Sequence, residues 1–259
     1  MEVLSSYYTN AGNVKTTNQD SLSVEVVNSP NGRIVFAVVC DGMGGLDQGE
    51  LASKEVVLAF EQWFYEDFAK MVANESVIEQ LLFAEWKRKI DFMNQKLMEY
   101  GTFNGTQIGT TLTMLLVYQG RYYISHVGDS RIYKITKELV IMTEDHTVVG
   151  HELRMGMITP EQAECDPRKN MLVQCVGASV VIEQQMVTGT IMEDATFILC
   201  SDGFVHKLSQ DEIYKNCRPE LLKSKKDVTH VCARLSRLAM ERGERDNVTV
   251  VGIVLKNME

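Results

Sequence analysis

Alternating apolar and polar positions mark the first part of the chain as β structure. Residues 21–27 alternate, residues 28–32 contain the turn formers Asn, Pro and Gly, and residues 33–40 form a strongly apolar run. Alternation with a period of two predicts a half-buried strand, and a continuous apolar run is consistent with a fully buried one. The two segments together predict a β-hairpin whose second strand ends at Asp41.

The spacing becomes helical over residues 48–72 and 76–100. Apolar side chains recur three or four positions apart there, as in Val56, Phe60 and Phe64. This period forms one face of an amphipathic helix. We therefore predict two long helices whose Met and aromatic residues belong to the hydrophobic core.

Strand patterns return in the second half of the chain, separated by shorter helices. The predicted strands are residues 112–118, 122–127, 131–135, 139–142, 180–187, 196–200 and 247–255. Short turns separate the first four, which predicts an antiparallel meander. Short helices and loop are predicted over 147–170, one beginning near Thr159 with Pro160 in its first turn, and further helices over 209–217 and 227–242. Because strands arrive in runs, the predicted class is α+β, in one domain spanning residues 1–259.

Composition restricts the function more than the fold. The chain has 259 residues, 45% hydrophobic and 24% charged, with a formal net charge of −9. This acidity disfavours a general nucleic-acid or anionic-membrane surface, since both need clustered Lys and Arg. No apolar run reaches membrane-spanning length, and the first residues lack the pattern of a secretory leader. The six cysteines include no CxxC pair, so we expect reduced thiols, no zinc site and a cytoplasmic location.

Five aspartates stand at predicted strand edges: Asp20, Asp41, Asp129, Asp202 and Asp246. Each alone fits an ordinary turn or capping residue. If they gather at one end of a β core, their repulsion requires raised pKa values or bound cations. The lack of a His or Cys cluster around them favours Mg²⁺ or Mn²⁺. A pair of such ions would activate water for an in-line phosphoryl displacement, which is the chemistry of a phosphatase.

Six short motifs run in order from near the first residue to near the last: Lys15-Thr16-Thr17-Asn18-Gln19-Asp20, Asp41-Gly42-Met43-Gly44-Gly45, Gly109-Thr110-Thr111, Gly128-Asp129-Ser130-Arg131, Cys200-Ser201-Asp202-Gly203 and Arg245-Asp246-Asn247. Their order and spacing resemble the metal-dependent serine/threonine protein phosphatases of type 2C, the PPM family, in its bacterial stand-alone form. The resemblance covers essentially the whole chain. It implies hydrolysis of phosphoserine and phosphothreonine in proteins, opposite a serine/threonine kinase or on a phosphorylated regulator.

The resemblance also implies a fold and a set of metal ligands. The fold is a central β-sandwich of two antiparallel sheets flanked by helix pairs, in four αββα layers. Residues 147–170 form a flap beside the site. The implied ligands of two core Mn²⁺ or Mg²⁺ ions and a possible third are Asp20, Asp41, Gly42, Asp129, Asp202 and Asp246.

Each implied ligand has its own part. Asp41 bridges the two core ions, the carbonyl of Gly42 binds one of them, and Asp202 with Asp246 holds the other. Asp20 acts through bound water, while a third, weaker ion lies between Asp129 and Asp202. A hydroxide that bridges the core ions attacks phosphorus without a phosphoenzyme intermediate. Consistent with this, no cysteine is followed six positions later by arginine, as a covalent thiol mechanism requires.

Two positions depart from the family pattern at the substrate side. Lys15 stands where many members have an arginine that grips the substrate phosphate. A lysine is a point charge without the guanidinium fork, which predicts weaker or less oriented phosphate binding. The alternative is a solvated surface lysine. Gln19 stands where an acidic residue is frequent, so an amide replaces a carboxylate there.

Two further departures concern the proton that the leaving group needs. Eukaryotic members carry a histidine at the position of Met43, and bacterial members often carry one at the position of Leu46. The general acid is therefore unassigned. A metal-bound water is the preferred donor, ahead of His126 and His146, for which structural hydrogen bonds are the expected role.

Two other functions stay open at the sequence level. One is a catalytically inactive binding module of the same fold, against which the retention of all five aspartates argues. The other is a nucleotide-binding enzyme that uses residues 42–45 as a phosphate loop, which requires a βαβ unit where hairpins are predicted. We expect a monomer whose partners are phosphorylated proteins and not nucleic acid or membrane.

Overall fold

Two antiparallel β-sheets form the centre of the structure, a computed structural model that describes residues 1–44, 48–74 and 77–256. In spatial order, the five-stranded sheet contains β1 (Glu2–Asn10), β11 (Val248–Lys256), β10 (Ala195–Cys200), β7 (Arg131–Ile135) and β8 (Leu139–Ile141). The six-stranded sheet contains β2 (Asp20–Ser29), β3 (Gly32–Gly44), β5 (Leu112–Tyr118), β6 (Arg121–Val127) and β9 (Gln185–Thr190), with β4 (Ile108–Thr110) paired to the end of β3.

Helices cover the outer faces of both sheets. Against the six-stranded sheet lie α1 (Gln48–Trp63), which continues through a π-helical turn (Phe64–Phe68) into α2 (Ala69–Ala73), and α3 (Glu79–Asn104). Against the five-stranded sheet lie α7 (Gln210–Cys217) and α8 (Lys225–Glu241). The remaining helical segments are α4 (Val148–Arg154), α5 (Pro160–Cys165), α6 (Asp202–Val205) and a 3₁₀ turn (Pro219–Leu221).

Strand β3 shows how the sequence pattern produces these layers. Its odd-numbered residues from 35 to 39 pack between the two sheets, in a cluster with Phe197 and Ile253. Its even-numbered residues from 34 to 40 pack under the helices, in a cluster with Trp86. A strand buried on both faces has no polar alternation, which explains the apolar run. The predicted α+β class and four-layer sandwich are therefore confirmed, whereas the single-domain assignment of residues 1–259 stays a prediction.

Two predictions about strands are wrong. The four strands predicted as one meander divide between the sheets: β5 and β6 belong to one and β7 and β8 to the other, because the chain crosses over after Gly128, which has a φ of +114°. Residues 180–184 are not in a strand either. The side-chain amide of Gln174 binds both the N–H and the C=O of Glu183, each at 2.9 Å, and so occupies backbone groups that a β ladder would use.

Other boundaries agree with prediction or extend it. The hairpin of β2 and β3 is confirmed, as is the helix at Thr159, whose side chain caps α5 with Pro160 in the first turn. Strand β1 was not predicted. It pairs along its whole length with β11, which is thereby hydrogen-bonded on both sides. The predicted start of the second long helix, Ser76, lies outside the described residues.

Candidate metal centre

Strand β3 brings the first two aspartates together. Asp20 and Asp41 face each other in the register of the β2–β3 pair. The backbone of Asp41 is fixed on its other side: its N–H donates to the hydroxyl of Thr111 at 2.9 Å, and its C=O accepts from the N–H of Thr111 and the hydroxyl of Thr110, each at 2.9 Å. Both threonines therefore have a structural role, because they fix the backbone of Asp41.

Asp202 and Asp246 come from neighbouring strands of the other sheet. Asp202 follows β10 at the start of α6, and Asp246 precedes β11 by two positions. Ser201 joins the sheets beside them, because its hydroxyl donates to Asp20 Oδ2 at 2.8 Å and accepts from the N–H of Thr249 at 3.1 Å. Ser201 thus holds a carboxylate and has no nucleophilic arrangement.

One cavity of about 600 Å³ collects four of the predicted aspartates. Its lining includes Asp41, Asp129, Asp202 and Asp246, and its wall also contains Asn170, the last residue of the predicted flap segment, and residues 172–175. Asp129 reaches the cavity from the crossover between the sheets. Asp20 is 7% exposed and lies beneath the cavity lining, next to Asp41.

The pKa values of the clustered carboxyl groups are raised by burial and by their mutual repulsion. Burial, reinforced by repulsion from Asp202, raises the pKa of Asp20 to about 7 despite hydrogen bonds from Thr249 and Ser201. Burial and the same repulsion raise the pKa of Asp129 to about 8. Burial and neighbouring carboxylates also raise the pKa of Asp41 well above its usual range. These are the shifts that a bound cation would reverse.

Two buried oxygens give a second indication that this cluster could bind a cation. Among the described residues, Asp20 Oδ1 and Asp202 Oδ1 have no hydrogen-bond partner. A buried carboxylate oxygen without a donor is costly, so such atoms indicate a ligand. Oxygen donors of this kind fit Mg²⁺ or Mn²⁺.

The side chains do not form a complete metal site by themselves. In the described segments, no group of three or more His, Cys, Asp or Glu side chains is arranged so that it could hold a metal ion. Mg²⁺ usually keeps several waters and uses one or two carboxylates, so an open, water-filled cavity suits it. The set is therefore compatible with hydrated ions shared between carboxylates.

Gly42 is held where only a glycine fits. Its N–H donates to the C=O of Gln19 at 3.1 Å, and a Cβ at this position would overlap the carbonyl oxygen of Gly49. The backbone of Gly42 lines the cavity next to Asp41. The neighbouring positions Gly45 and Leu46, which the family comparison also concerned, lie outside the described residues.

Lys15 lies at the cavity with its side chain 44% exposed. Its Nζ is 3.3 Å from Asp246 Oδ1. A cation in this position faces whatever anion enters the cavity. The observation therefore favours a role in the site over the alternative of an unrelated surface lysine.

The two candidate histidines have structural surroundings. His126 is fully buried, contacts the hydroxyl of Thr113 and two backbone carbonyls, and burial lowers its pKa to about 3. His146 accepts from the N–H of Gly128 at 3.2 Å, and burial lowers its pKa to about 4. Neither lines the cavity. They brace the turn before Asp129 and are poorly placed to protonate a leaving group.

Sequence reasoning missed two titratable residues next to the cluster, His206 and Glu244. His206 Nε2 lies 3.4 Å from Asp202 Oδ2, and His206 Nδ1 lies 3.4 Å from Glu244 Oε2. His206 follows Asp202 by four positions, which places both on one face of a helical turn. That spacing was the available signal, whereas the contact with Glu244 depends on the tertiary fold.

The nucleotide-binding alternative is not supported. It needs a parallel βαβ unit around the glycines, but every strand pairing of β3 within the described residues is antiparallel. No helix among residues 1–44, 48–74 and 77–256 has the length and apolar character needed to cross a bilayer.

Comparison with known proteins gives the same result from independent data. The family description Protein phosphatase 2C matches residues 10–242. The chain is 32% identical over 251 residues to the serine/threonine phosphatase stp of Listeria monocytogenes, covering 95% of this chain and 93% of the relative.

Solved structures agree. The serine/threonine phosphatase of S. agalactiae superposes with a TM-score of 0.83 at 26% identity, over 97% of this chain and 99% of that one. The catalytic domain of the serine/threonine protein phosphatase PstP, solved in complex with two manganese ions, superposes with a TM-score of 0.76 at 26% identity, over 98% of this chain and 100% of that one. The motifs, the fold and these matches lead to one conclusion: the chain belongs to the protein phosphatase 2C family of metal-dependent serine/threonine protein phosphatases.

Proposed function

We propose that this chain hydrolyses phosphoserine and phosphothreonine in proteins at a binuclear Mn²⁺ or Mg²⁺ centre in the cavity that Asp41, Asp129, Asp202 and Asp246 line. The observation that carries the proposal is the pair of buried carboxylate oxygens without a partner among the described residues, Asp20 Oδ1 and Asp202 Oδ1. They belong to a cluster whose burial and repulsion already disfavour the charged state. Cations resolve both problems at once.

The residues divide the work of holding the ions. Asp41 would be the catalytic carboxylate common to the two core ions, Gly42 would offer its carbonyl oxygen, and Asp202 and Asp246 would be the catalytic carboxylates on the opposite sheet. Asp20, held by Ser201, would act through water. Asp129 with Asp202 would hold the weaker third ion. When bound, the ions lower the pKa of a water nucleophile and neutralise charge on the phosphoryl group.

The substrate side of the cavity uses the chain's own groups. The ammonium of Lys15 attracts and orients the phosphate, in competition with its ion pair to Asp246. No histidine lies among the described residues that line the cavity, so the leaving alkoxide takes its proton from water. We expect a monomeric, cytoplasmic enzyme that opposes a serine/threonine kinase.

The main alternative is a catalytically inactive binding module of the same fold. A cluster of buried carboxylates destabilises the metal-free protein, and a module that bound no metal would gain stability by losing it. The alternative therefore leaves Asp20, Asp41, Asp129, Asp202 and Asp246 without an explanation.

A direct assay separates the two functions. The purified protein is incubated with Mn²⁺, Mg²⁺ or EDTA, first with p-nitrophenyl phosphate and then with a phosphothreonine peptide. We expect turnover of both that depends on the metal and is abolished in Asp41→Asn, a nearly isosteric change that removes the shared charge. Absence of turnover at every metal concentration would establish the inactive module. A normal kcat in Asp41→Asn would refute the bridging role.

A further inference from the structure

A continuous chain of contacts through His206 and Glu244 links Asp202 to Asp246, two of the proposed metal ligands. His206 lies between two carboxylates, with Nε2 at 3.4 Å from Asp202 Oδ2 and Nδ1 at 3.4 Å from Glu244 Oε2. The other oxygen of Glu244, Oε1, accepts from the backbone N–H groups of Arg245 at 2.8 Å and Asp246 at 3.0 Å. One glutamate thus contacts the loop of Asp246 and, through a histidine, the side chain of Asp202.

The turn that follows α8 directs Glu244 into the protein interior. The helix ends at Glu241, Gly243 follows with a φ of +86°, and the N–H of Glu244 donates back to the C=O of Ala239 at 3.1 Å. This left-handed turn after a helix is a common C-terminal arrangement that glycine permits. As a result, Glu244 is only 5% exposed, although its neighbours in sequence are on the surface.

The buried position of Glu244 is energetically unfavourable for a carboxylate. Among the described residues Glu244 Oε2 makes no hydrogen bond, and it lies 3.4 Å from His206 Nδ1. Burying a carboxylate with incomplete partners costs free energy, which suggests that the residue organises another part of the structure. What it contacts is the backbone of Asp246 and the imidazole that meets Asp202.

We propose that His206 and Glu244 are positioning residues that set the metal affinity of the centre by fixing Asp202 and Asp246. His206 occupies Asp202 Oδ2, so that the partnerless Oδ1 is the oxygen available to an ion. Glu244 holds the backbone at Asp246 through two N–H groups. Residues behind metal ligands act in this way generally, and their loss typically weakens affinity about 10- to 100-fold. The inference rests on the proposed metal centre.

The sign of the effect separates positioning from charge. If His206 acted only as a positive charge, its removal would leave the cluster more negative and strengthen cation binding. Positioning predicts the opposite, weaker binding. For Glu244 the informative change is Glu244→Gln, because glutamine keeps Oε1 as acceptor for the two N–H groups, and its amide NH₂ can donate to His206 Nδ1 when the neutral imidazole carries its proton on Nε2, toward Asp202. Positioning predicts that this variant retains its affinity, whereas a charge effect predicts a loss.

The experiment measures Mn²⁺ binding, with kcat and KM for p-nitrophenyl phosphate as second readouts. The variants are His206→Ala, Glu244→Ala, Glu244→Gln and the double alanine variant. The matched controls are His230→Ala and Glu241→Ala, both exposed on α8. Titration calorimetry gives the dissociation constant, and the rise in Tm on adding Mn²⁺, measured within each variant, corrects for any change in folding stability.

We expect His206→Ala and Glu244→Ala to weaken Mn²⁺ binding by about 10- to 100-fold, the double variant to be no weaker than the weaker single one, and Glu244→Gln and the controls to stay within about threefold. Parent-like or tighter binding in both alanine variants would overturn the inference, as would a loss in Glu244→Gln as large as that in Glu244→Ala. If the parent itself binds no Mn²⁺, the metal centre fails and this inference with it. If the parent protein binds Mn²⁺ and both alanine variants bind it equally well, the positioning role is refuted and the metal centre is not.

Discussion

Metal binding should be coupled to proton release. The pKa of the buried Asp20 carboxyl determines how strongly the metal affinity should depend on pH. The perturbation is the titration of Mg²⁺ into metal-free protein at pH 6, 7 and 8. Burial raises the pKa of Asp20 from 3.8 to about 7, and burial raises that of Asp129 to about 8. The ions require ionised carboxylates, so at pH 6 they must displace protons that are largely absent at pH 8.

The magnitude follows from the Asp20 carboxyl alone. A group with a pKa of about 7 is about 90% ionised at pH 8 and about 10% ionised at pH 6, so affinity should fall roughly tenfold, or about 1.4 kcal/mol. A raised pKa stabilises the metal-free fold fully below pH 3.8, and this contribution is lost as the pH rises through about 7. The rise in Tm on adding Mg²⁺ should therefore be larger at pH 8 than at pH 6, by about 3–5 °C.

Two measurements check this coupling. Thermal unfolding with excess Mg²⁺ and with EDTA gives the shift in Tm at each pH. Calorimetry in two buffers of different ionisation enthalpy counts the protons released, and Asp20→Asn should release fewer of them at pH 6. Equal shifts in Tm at pH 6 and pH 8, together with no proton release, would show that the carboxylates are already ionised and refute the electrostatic argument.

Three further predictions concern other parts of the molecule. Lys15→Arg should lower the KM for p-nitrophenyl phosphate about two- to fivefold, because the guanidinium fork binds phosphate through two hydrogen bonds; an unchanged or higher KM in steady-state assays would remove Lys15 from the site. Gly42→Ala should destabilise the fold by about 1–3 kcal/mol in urea unfolding and weaken Mn²⁺ binding, since the new Cβ overlaps the Gly49 carbonyl; parent-like values for both would contradict the close packing. A thiol reagent should modify only Cys165 in the native protein, because the other cysteines are buried; rapid reaction of a second thiol would disagree with that burial.

The sequence predicted the parts of the fold that local pattern determines. Strand β3 was evident because burial on both faces requires an unbroken apolar run, and α5 was evident because its cap and proline are local signals. The crossover after Gly128 was not, because a period-two pattern gives the inward face of a strand and not the sheet to which it belongs. Strand β1 was missed because its exposed Tyr7 and polar residues hide its pairing with β11.

The candidate site divides in the same way. Asp41 and Asp202 were found because aspartate beside glycine at a strand end is visible in the sequence, and family motifs gave their order. Glu244 and its contact with His206 were missed because both depend on the tertiary fold: the glutamate is only 5% exposed, and the contact spans 38 positions of sequence. The partners of the two residues lie on α6 and after α8, elements that no local pattern places side by side.

The pairing of β1 with β11 has a consequence for the chain during its synthesis. Residues 2–10 leave the ribosome long before residues 248–256, the strand that pairs with them. Until that strand emerges, β1 lacks its partner and β10 has an open edge, which must be kept from pairing with other chains. The candidate metal site is completed equally late, since Asp246 precedes β11 by two positions in the chain. The sheet that carries Asp202 and Asp246 can therefore be completed only after residues 248–256 have emerged.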